Sequence, residues 1–155
     1  MTVKSVQGDL FALDVDAIGH GVNCKGVMGA GIATAFKSKF PRMFPEYESL
    51  CRQGILNLGQ VHVYDKPFND YPVIYNIASQ FEPGANADLR AIGVAAEFVR
   101  FDAERRGLKT VALPQIGCGI GGLTWPLVYT TLERVFEYSP VEFQLVTYEK
   151  SVSKV

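Results

Sequence analysis

The chain has 155 residues, 48% of them hydrophobic, which is enough for a single domain whose core needs neither disulfides nor a metal. Fifteen basic and sixteen acidic residues give a net charge of -1, so no basic face is expected for holding a nucleic-acid backbone. Three cysteines without CxxC spacing, and the lack of a signal peptide or a bilayer-spanning apolar run, predict a cytoplasmic protein without membrane attachment.

Strand and helix patterns alternate along the chain. Short apolar or alternating runs predict strands at residues 3–6, 17–22, 60–64, 73–78, 110–113 and 143–148. Helical patterns occupy residues 29–39, 46–53 and 86–106 and the segment after Thr124. Asn86 and Asp88 are the candidate caps of the longest helix, and Gly107 is its candidate end. This order predicts an α/β fold with a largely parallel sheet covered on both faces, and ligands beyond the carboxyl ends of its strands.

Two glycine-rich loops are the strongest functional signal. Residues 23–33 read NCKGVMGAGIA, and residues 113–122 read LPQIGCGIGG. Each follows an apolar strand and leads into a helical pattern, and its glycines let the backbone approach a ligand with free N–H groups. A helix N-terminus adds a partial positive charge, which suits phosphate. Two such loops in one small domain predict the walls of a cleft that holds a diphosphate.

Familiar nucleotide motifs do not explain these loops. Residues 117–122 match GxGxxG, but a dinucleotide-binding domain needs several strands after that motif, and too little chain remains. Gly122 is followed by Leu123 and Thr124 rather than by Lys and Ser or Thr, so the segment is not a P-loop. No Arg is near Cys118 in sequence to clamp a phosphate, which argues against a cysteine phosphatase.

Five segments carry a resemblance to a known family. They are residues 8–10 (GDL), 16–18 (DAI), 20–24 (HGVNC), 29–33 (GAGIA) and 113–120 (LPQIGCGI), the last followed by Trp125 and a terminal helix. In this order they resemble the macrodomain family, which binds ADP-ribose. Within it they resemble the branch with the yeast ADP-ribose-1″-phosphate phosphatase and the terminal ADP-ribose protein glycohydrolase. The resemblance implies a single three-layer α/β/α macrodomain over residues 1–155, with a mixed, largely parallel central sheet.

The resemblance also implies ligand contacts. Asp9 would accept a hydrogen bond from the adenine amine beside the Leu10 backbone, Asn23 would hold the distal ribose, and Tyr148 would pack against adenine. The glycine loops would contact the distal ribose and the diphosphate through Gly29, Ala30, Gly31 and Ile32 in the first loop and Gly117, Cys118, Gly119, Ile120 and Gly121 in the second. Other roles remain open for three of these residues: a local cap for Asp9, a self-bonded turn for Asn23 and an edge cover for Tyr148.

The catalytic residues of that branch are only partly present. Its glycohydrolase uses a Lys after the fourth strand and an Asp in the second glycine loop, where this chain has Ser79, Gln80 and Gly121. His20 remains, at a strand end expected to point toward the cleft, and the resemblance implies that the matching His serves catalysis in the phosphatase. A His titrates near neutral pH, so it can activate water or protonate a leaving oxygen. The alternative for His20 is a hydrogen-bonded strand residue.

The chain is therefore predicted to bind ADP-ribose and to dephosphorylate ADP-ribose-1″-phosphate to ADP-ribose, with His20 as catalytic residue and with no metal or cofactor. Two other functions remain open: a hydrolase that removes ADP-ribose from protein or nucleic acid, and a non-catalytic ADP-ribose reader. His62 is expected to be structural, and Cys24 and Cys118 are expected to be small loop residues rather than nucleophiles. The expected partner is a small-molecule ligand, and the chain is expected to be a monomer.

Overall fold

A computed structural model describes residues 3–66 and 71–148, which form six strands and four helices. The strands are β1 (Val3–Gln7), β2 (Ala17–Val22), β3 (Val61–Tyr64), β4 (Val73–Ala78), β5 (Thr110–Leu113) and β6 (Glu142–Thr147), and the helices are α1 (Ile32–Lys39), α2 (Met43–Arg52), α3 (Leu89–Arg106) and α4 (Trp125–Phe136). All six predicted strands are confirmed, with only small differences at their ends. The parts of the expected domain at residues 1–2, 67–70 and 149–155 lie outside the described residues.

The strands form one sheet in the order β1-β6-β5-β2-β4-β3. All neighbours are parallel except β3, which pairs antiparallel with β4 at the edge. The predicted mixed, largely parallel sheet is therefore confirmed. Because β1, β6, β5, β2 and β4 run the same way, the loops that follow them all leave the sheet at one edge.

Helices cover both faces of the sheet, which makes the three layers expected. Along β4 the buried side chains alternate: Tyr75 and Ile77 face the core under α3 and α4, while Ile74 and Ala78 face the core under α1 and α2. The whole of β4 is buried, as expected for a central parallel strand. Each large apolar side chain buried in this way contributes about 1.5–3 kcal/mol relative to the exposed state.

Local chemistry explains where the helices begin and end. Asp88 caps α3 because its carboxylate accepts the Ala91 N–H at 3.0 Å, whereas Asn86 bonds within its own loop. Gly107 ends α3 in the left-handed conformation, with φ of 72°. The first helix begins later than predicted, at Ile32, because Gly31 has φ 62° and ψ −150°, which no helix accommodates.

The second helix begins earlier than predicted, at Met43 rather than at Glu46. Pro45 lies in its first turn, where a missing N–H costs nothing, because N–H groups in that turn have no partner within the helix. Pro126 is tolerated in the first turn of α4 for the same reason, as predicted. Within the described ranges, no helix has both the length and the apolar character needed to cross a bilayer.

Candidate ligand-binding site

A cleft of about 840 Å³ opens along the carboxyl edge of the sheet. Its lining comes from the end of β2, the loops after β2, β4 and β5, the start of α1 and the residue that follows β6. The lining residues are Gly21, Val22, Asn23, Val27, Gly29, Ala30, Gly31, Ile32, Ala33, Ser79, Gln80, Pro83, Gly84, Pro114, Gln115, Ile116, Gly117, Cys118, Gly119, Ile120, Gly121 and Tyr148. Both glycine loops predicted from the sequence therefore lie in one cleft.

The sheet order determines the long axis of the cleft. Since β6, β5, β2 and β4 are neighbours in that order, Tyr148 marks one end and Gln80 marks the other. Three strand spacings separate these ends, which is about 14 Å across the sheet. The two glycine loops, after β5 and β2, occupy the middle. The cleft thus suits an elongated ligand whose central part needs close approach to backbone.

The second glycine loop presents unpaired backbone donors. Gly117 and Gly119 adopt left-handed conformations with φ of 77° and 65°, and residues 119–121 form a single 3₁₀ turn. Within residues 3–66 and 71–148, no acceptor lies within hydrogen-bond range of the N–H groups of Gly117, Gly119 and Ile120. Successive free N–H groups in such a turn form a concavity that binds anions.

The first glycine loop places a helix start at the cleft. The N–H groups of Ile32 and Ala33 lie in the first turn of α1, where helix geometry leaves them without an intrahelical partner. The aligned peptide dipoles add a partial positive charge there. No Asp, Glu, Lys, Arg or His is among the described residues that line the cleft, so its attraction for an anion comes from backbone groups.

Asn23 lines the cleft, but its side-chain amide also organises its own loop. Its Oδ1 accepts the N–H of Lys25 at 2.9 Å, and its Nδ2 donates to the Val27 carbonyl at 2.8 Å. The buried Tyr47 hydroxyl donates to the Asn23 carbonyl at 2.7 Å. These bonds give Asn23 the turn role that the sequence left open, and they hold the amide at the cleft wall.

His20 is not in the cleft lining, and the expectation that it points toward the cleft is wrong. Its side chain is fully buried, and its ring stacks on Phe36 of α1 with 3.6 Å between ring centroids. Side chains alternate along β2, so His20 shares the α1 face with Ile18 and Val22, whereas Gly21 faces the other way. Since Gly21 and Val22 at the end of β2 line the cleft from both faces, His20 is excluded because it lies before them in the strand and is covered by Phe36.

The buried His20 is neutral at physiological pH. Its Nε2–H donates to Asn76 Oδ1 at 2.6 Å, and its Nδ1 has no partner among the described residues. Burial lowers the pKa of His20 to about 3, and the bond to Asn76 offsets only part of this. An imidazole in this state cannot supply a proton near pH 7, so it is unsuited to general acid catalysis.

A chain of hydrogen bonds continues from His20 to the surface. The Asn76 Nδ2 group donates to Nδ1 of His62 at 3.0 Å. His62 Nε2–H then donates to Glu46 Oε1 on α2, also at 3.0 Å. His62 lies on β3, outside the cleft lining, where it ties the edge strand to α2.

Asp9 and Leu10 are also outside the cleft lining. The Asp9 carboxylate accepts the N–H of Phe11 at 3.0 Å and caps a short 3₁₀ turn, which is the local role that the sequence left open. Leu10 is buried in the core under α1 and α2. Gly8 N–H donates to the Thr147 carbonyl at 2.9 Å, which brings this turn beside Tyr148 at one end of the cleft.

Several lining residues were not predicted from the sequence as ligand contacts. Ser79 and Gln80 follow β4, and Gln80 Nε2 donates to the carbonyls of Glu82 at 2.7 Å and Gly84 at 2.9 Å, which holds that loop at the cleft. Gln115 follows β5. Their position directly after strands that end at the same edge was the signal that could have found them.

The two loop thiols are poor nucleophiles. Burial raises the pKa of Cys24 to about 11, and burial also raises the pKa of the Cys118 thiol above its usual range. Since the thiolate is the reactive form, both side chains stay protonated near neutral pH. In the described part of the chain, no group of three or more His, Cys, Asp or Glu residues is placed to hold a metal ion.

Comparisons with known proteins agree with this architecture. Residues 20–132 match the Macro domain family. The chain is 36% identical over 135 residues to the Mycobacterium tuberculosis protein named DNA ADP-ribosyl glycohydrolase, a match that covers 86% of this chain and 38% of that protein. It therefore spans less than half the length of that relative. Over 53 residues it is 47% identical to an Aspergillus oryzae ADP-ribose 1″-phosphate phosphatase, covering 34% of this chain and 26% of the phosphatase.

A solved structure extends the likeness to three dimensions. The macrodomain of Mycobacterium tuberculosis DarG superposes with a TM-score of 0.86 at 32% identity. This match covers 96% of the present chain and 98% of the solved one. The sheet order, the helices on both faces and the cleft edge therefore all lie within the shared architecture.

Proposed function

This chain belongs to the Macro domain family, and we propose that it binds ADP-ribose in the cleft and releases it by hydrolysis from ADP-ribosylated macromolecules. The observation that carries this proposal is the pair of facing glycine loops in the middle of a cleft that spans four strand ends. The length and the backbone donors of the cleft match a ligand with two end groups and a central diphosphate.

The diphosphate would lie between the loops after β2 and β5. The free N–H groups of Gly117, Gly119 and Ile120 would bind its oxygens from one side, and the start of α1 would bind them from the other. Backbone N–H groups carry no net charge. A site built from them can therefore bind an anion in a chain whose net charge is -1. Adenine would then lie toward Tyr148 and the distal ribose toward Asn23 and Gln80.

Hydrolysis in this cleft would rest on positioning rather than on an ionised side chain. Water adds to C1″ of the distal ribose, the bond from C1″ to the acceptor breaks, and the acceptor takes up the proton. Neutral polar groups at that end of the cleft, Asn23, Ser79 and Gln80, are available to orient the water and the ribose hydroxyls. Several relatives of the chain are named as ADP-ribosyl glycohydrolases, which supports this reaction class.

The phosphatase reaction predicted from the sequence is a second candidate. The 47% identity over 53 residues to a phosphatase of ADP-ribose 1″-phosphate favours it. However, water attack on the terminal phosphorus would develop charge on the phosphoryl oxygens, and the described lining has no Lys, Arg or His to stabilise it. The cleft therefore supports cleavage at C1″ better.

Calorimetric titration with ADP-ribose, followed by three release assays on the same sample, tests the proposal. The substrates are an ADP-ribosylated oligonucleotide, an ADP-ribosylated peptide and ADP-ribose-1″-phosphate. Free ADP-ribose from either conjugate, lost in Gly29→Val, would support the hydrolase. Phosphate release alone would establish the second candidate instead. Binding without release from any substrate would overturn both in favour of a reader.

A further inference from the structure

Gln80 follows β4 at the end of the cleft opposite Tyr148, and its side-chain amide is held in one orientation. Its Nε2 group donates to the Glu82 carbonyl at 2.7 Å and to the Gly84 carbonyl at 2.9 Å. These two bonds use both protons of the amide group. Rotating the amide by half a turn would place Oε1 against the same two carbonyl oxygens, so the partners determine its orientation.

The Oε1 atom of Gln80 is left as an unpaired acceptor beside the second glycine loop. It lies 3.3 Å from the position that a Cβ on Gly121 would take, and Gln80 and Gly121 both line the cleft. No donor within residues 3–66 and 71–148 lies in hydrogen-bond range of this oxygen. In those ranges, His20 Nδ1 is the only fully buried side-chain nitrogen or oxygen without a partner, so Gln80 Oε1 is accessible from the cleft.

The backbone of Gln80 is held by neighbouring segments of the chain. Gln80 forms an antiparallel bridge with Ala87, and the Ala87 N–H donates to the Gly121 carbonyl at 3.1 Å. The Cys24 thiol, in the first glycine loop, donates to the Gln80 carbonyl at 3.6 Å. Because of these contacts, the Oε1 atom keeps a defined position relative to both glycine loops, as a group that orients a reactant must.

The other polar side chains at this end of the cleft offer no comparable acceptor. Asn23 Oδ1 already accepts two backbone N–H groups, from Lys25 at 2.9 Å and from Val27 at 3.4 Å. Ser79 is only 1% exposed, and its hydroxyl can donate as well as accept. Of these three side chains, Gln80 alone therefore presents an oxygen that is both unpaired and fixed as an acceptor.

We propose that Gln80 Oε1 accepts a hydrogen bond from the water that attacks C1″ of the distal ribose, which makes Gln80 a catalytic residue. This inference rests on the proposed function. The hydrogen bond directs a lone pair of the water oxygen toward C1″. As the bond from C1″ to the acceptor breaks, the amide dipole stabilises the positive charge that develops on the ribose.

A neutral amide restricts the chemistry that this residue can perform. Gln80 takes up no proton, so the proton of the attacking water passes to the departing acceptor. The amide forms no covalent bond to the ribose either. Both points distinguish this chain from the glycohydrolase branch that it resembles, whose Lys and Asp are replaced here by neutral residues. Gln80 therefore acts by orienting the water and by its dipole.

Steady-state release of ADP-ribose by Gln80→Met and Asn86→Ala tests the inference, with whichever conjugate the wild-type chain cleaves. Gln80→Met keeps the length of the side chain and removes its oxygen. Asn86→Ala is the matched control for the loop, because Asn86 Nδ2 donates to the Pro83 carbonyl at 3.1 Å and Asn86 Oδ1 accepts the Glu82 N–H at 3.2 Å. It loosens the same segment and leaves Gln80 Oε1 in place.

We expect Gln80→Met to lower kcat by about tenfold to a hundredfold, because the attacking water is no longer oriented. KM should change by less than about threefold, and kcat/KM should fall as much as kcat, since the lost contact is made to the water and not to the bound substrate. Asn86→Ala should keep kcat within about threefold of wild type. Urea unfolding checks that both variants are folded at the assay temperature.

Three results would overturn this inference alone. They are an unchanged kcat in Gln80→Met, a raised KM with unchanged kcat, and an equal fall of kcat in Asn86→Ala. The second would assign Gln80 to substrate binding, and the third would assign it to holding the loop. A wild-type chain that releases no ADP-ribose from any conjugate would overturn the proposed function, and this inference with it.

Discussion

Ile120 and Gly31 face each other across the cleft: the Ile120 Cδ1 atom lies 3.4 Å from the position that a Cβ on Gly31 would take. The two glycine loops, separated by most of the chain, therefore come within van der Waals range. Any side chain at position 31 would press on Ile120, and φ of 62° already disfavours one. The cleft between the loops is thus narrow, which suits a diphosphate better than a bulky group.

Gly29 offers the cleanest way to block the cleft without disturbing the fold. It lies in the lining outside the left-handed conformation, and an added Cβ would meet only Val27 Cγ1, at an ordinary 3.6 Å. We expect Gly29→Val to reduce ADP-ribose affinity at least about tenfold, or about 1.4 kcal/mol. Gly29→Ala is the graded control, and urea unfolding should show near-wild-type stability for both. Unchanged affinity in Gly29→Val would place the diphosphate elsewhere.

Gly121 packs so closely against Ala87 that a side chain at position 121 would destabilise the fold. A Cβ there would lie 2.9 Å from Ala87 Cβ, and the Gly121 carbonyl accepts the Ala87 N–H at 3.1 Å. We expect Gly121→Ala to lower the free energy of unfolding by about 1–3 kcal/mol through overpacking. Adding Ala87→Gly should recover most of this loss in a double-mutant cycle. Additive effects of the two substitutions would show that the clash is not the cause.

The buried His20 should make stability depend on pH. Its folded pKa of about 3 lies below the ordinary value of 6.5, so the unfolded chain takes up a proton first as the pH falls. The contribution is fully present above pH 6.5 and is lost between that value and about pH 3. Urea unfolding should therefore show a loss of about 1 kcal/mol between pH 7 and pH 5.5. His20→Gln should lack this part of the loss, and an identical profile would contradict the assignment.

Substitution of His20 also distinguishes a catalytic role of this residue from a structural one. Since His20 stacks on Phe36 away from the cleft lining, we expect His20→Gln to lower stability but to retain turnover per folded molecule. Activity is measured at a temperature where far-ultraviolet circular dichroism shows the variant folded. A loss of turnover of about a hundredfold or more in folded protein would restore His20 as a catalytic residue.

Tyr148 should contribute to binding without contributing to the fold. Its side chain is 67% exposed at the end of β6, beside the turn that holds Asp9. We expect Tyr148→Leu to weaken ADP-ribose by about 0.5–1.5 kcal/mol, the range for an aromatic pair. A ligand that carries the diphosphate and ribose without adenine should bind equally well to both proteins. Equal losses for the two ligands would remove adenine from this end.

Periodicity was sufficient to predict the strands and the layer arrangement. In β4, for example, every side chain from Val73 to Ala78 is buried, as its mostly apolar run, interrupted by Asn76, indicates. The two loops were predictable because Gly31 and Gly119 need conformations that other residues avoid. Relations between distant segments were not predictable. The contact of Gly121 with Ala87 depends on how two loops pack after the sheet has formed.

The orientation of His20 could not be read from its neighbours in sequence either. His20 shares its face of β2 with Val22, which lines the cleft, but it lies two residues before Val22, and only the position of Phe36 in the folded chain shows that its ring is covered. The role of Asp9 was equally open from the sequence. A carboxylate two residues before Phe11 can either cap a turn or bind a ligand, and the local sequence fits both.

The interleaved strand order has a consequence for synthesis on the ribosome. The segment that ends at Tyr148 forms β6, and β6 inserts between β1 and β5. A nascent chain therefore cannot complete the sheet edge that carries the cleft until residue 148 has left the exit tunnel. A ligand that binds the cleft would then stabilise only chains translated past residue 148, because shorter ones lack the completed cleft.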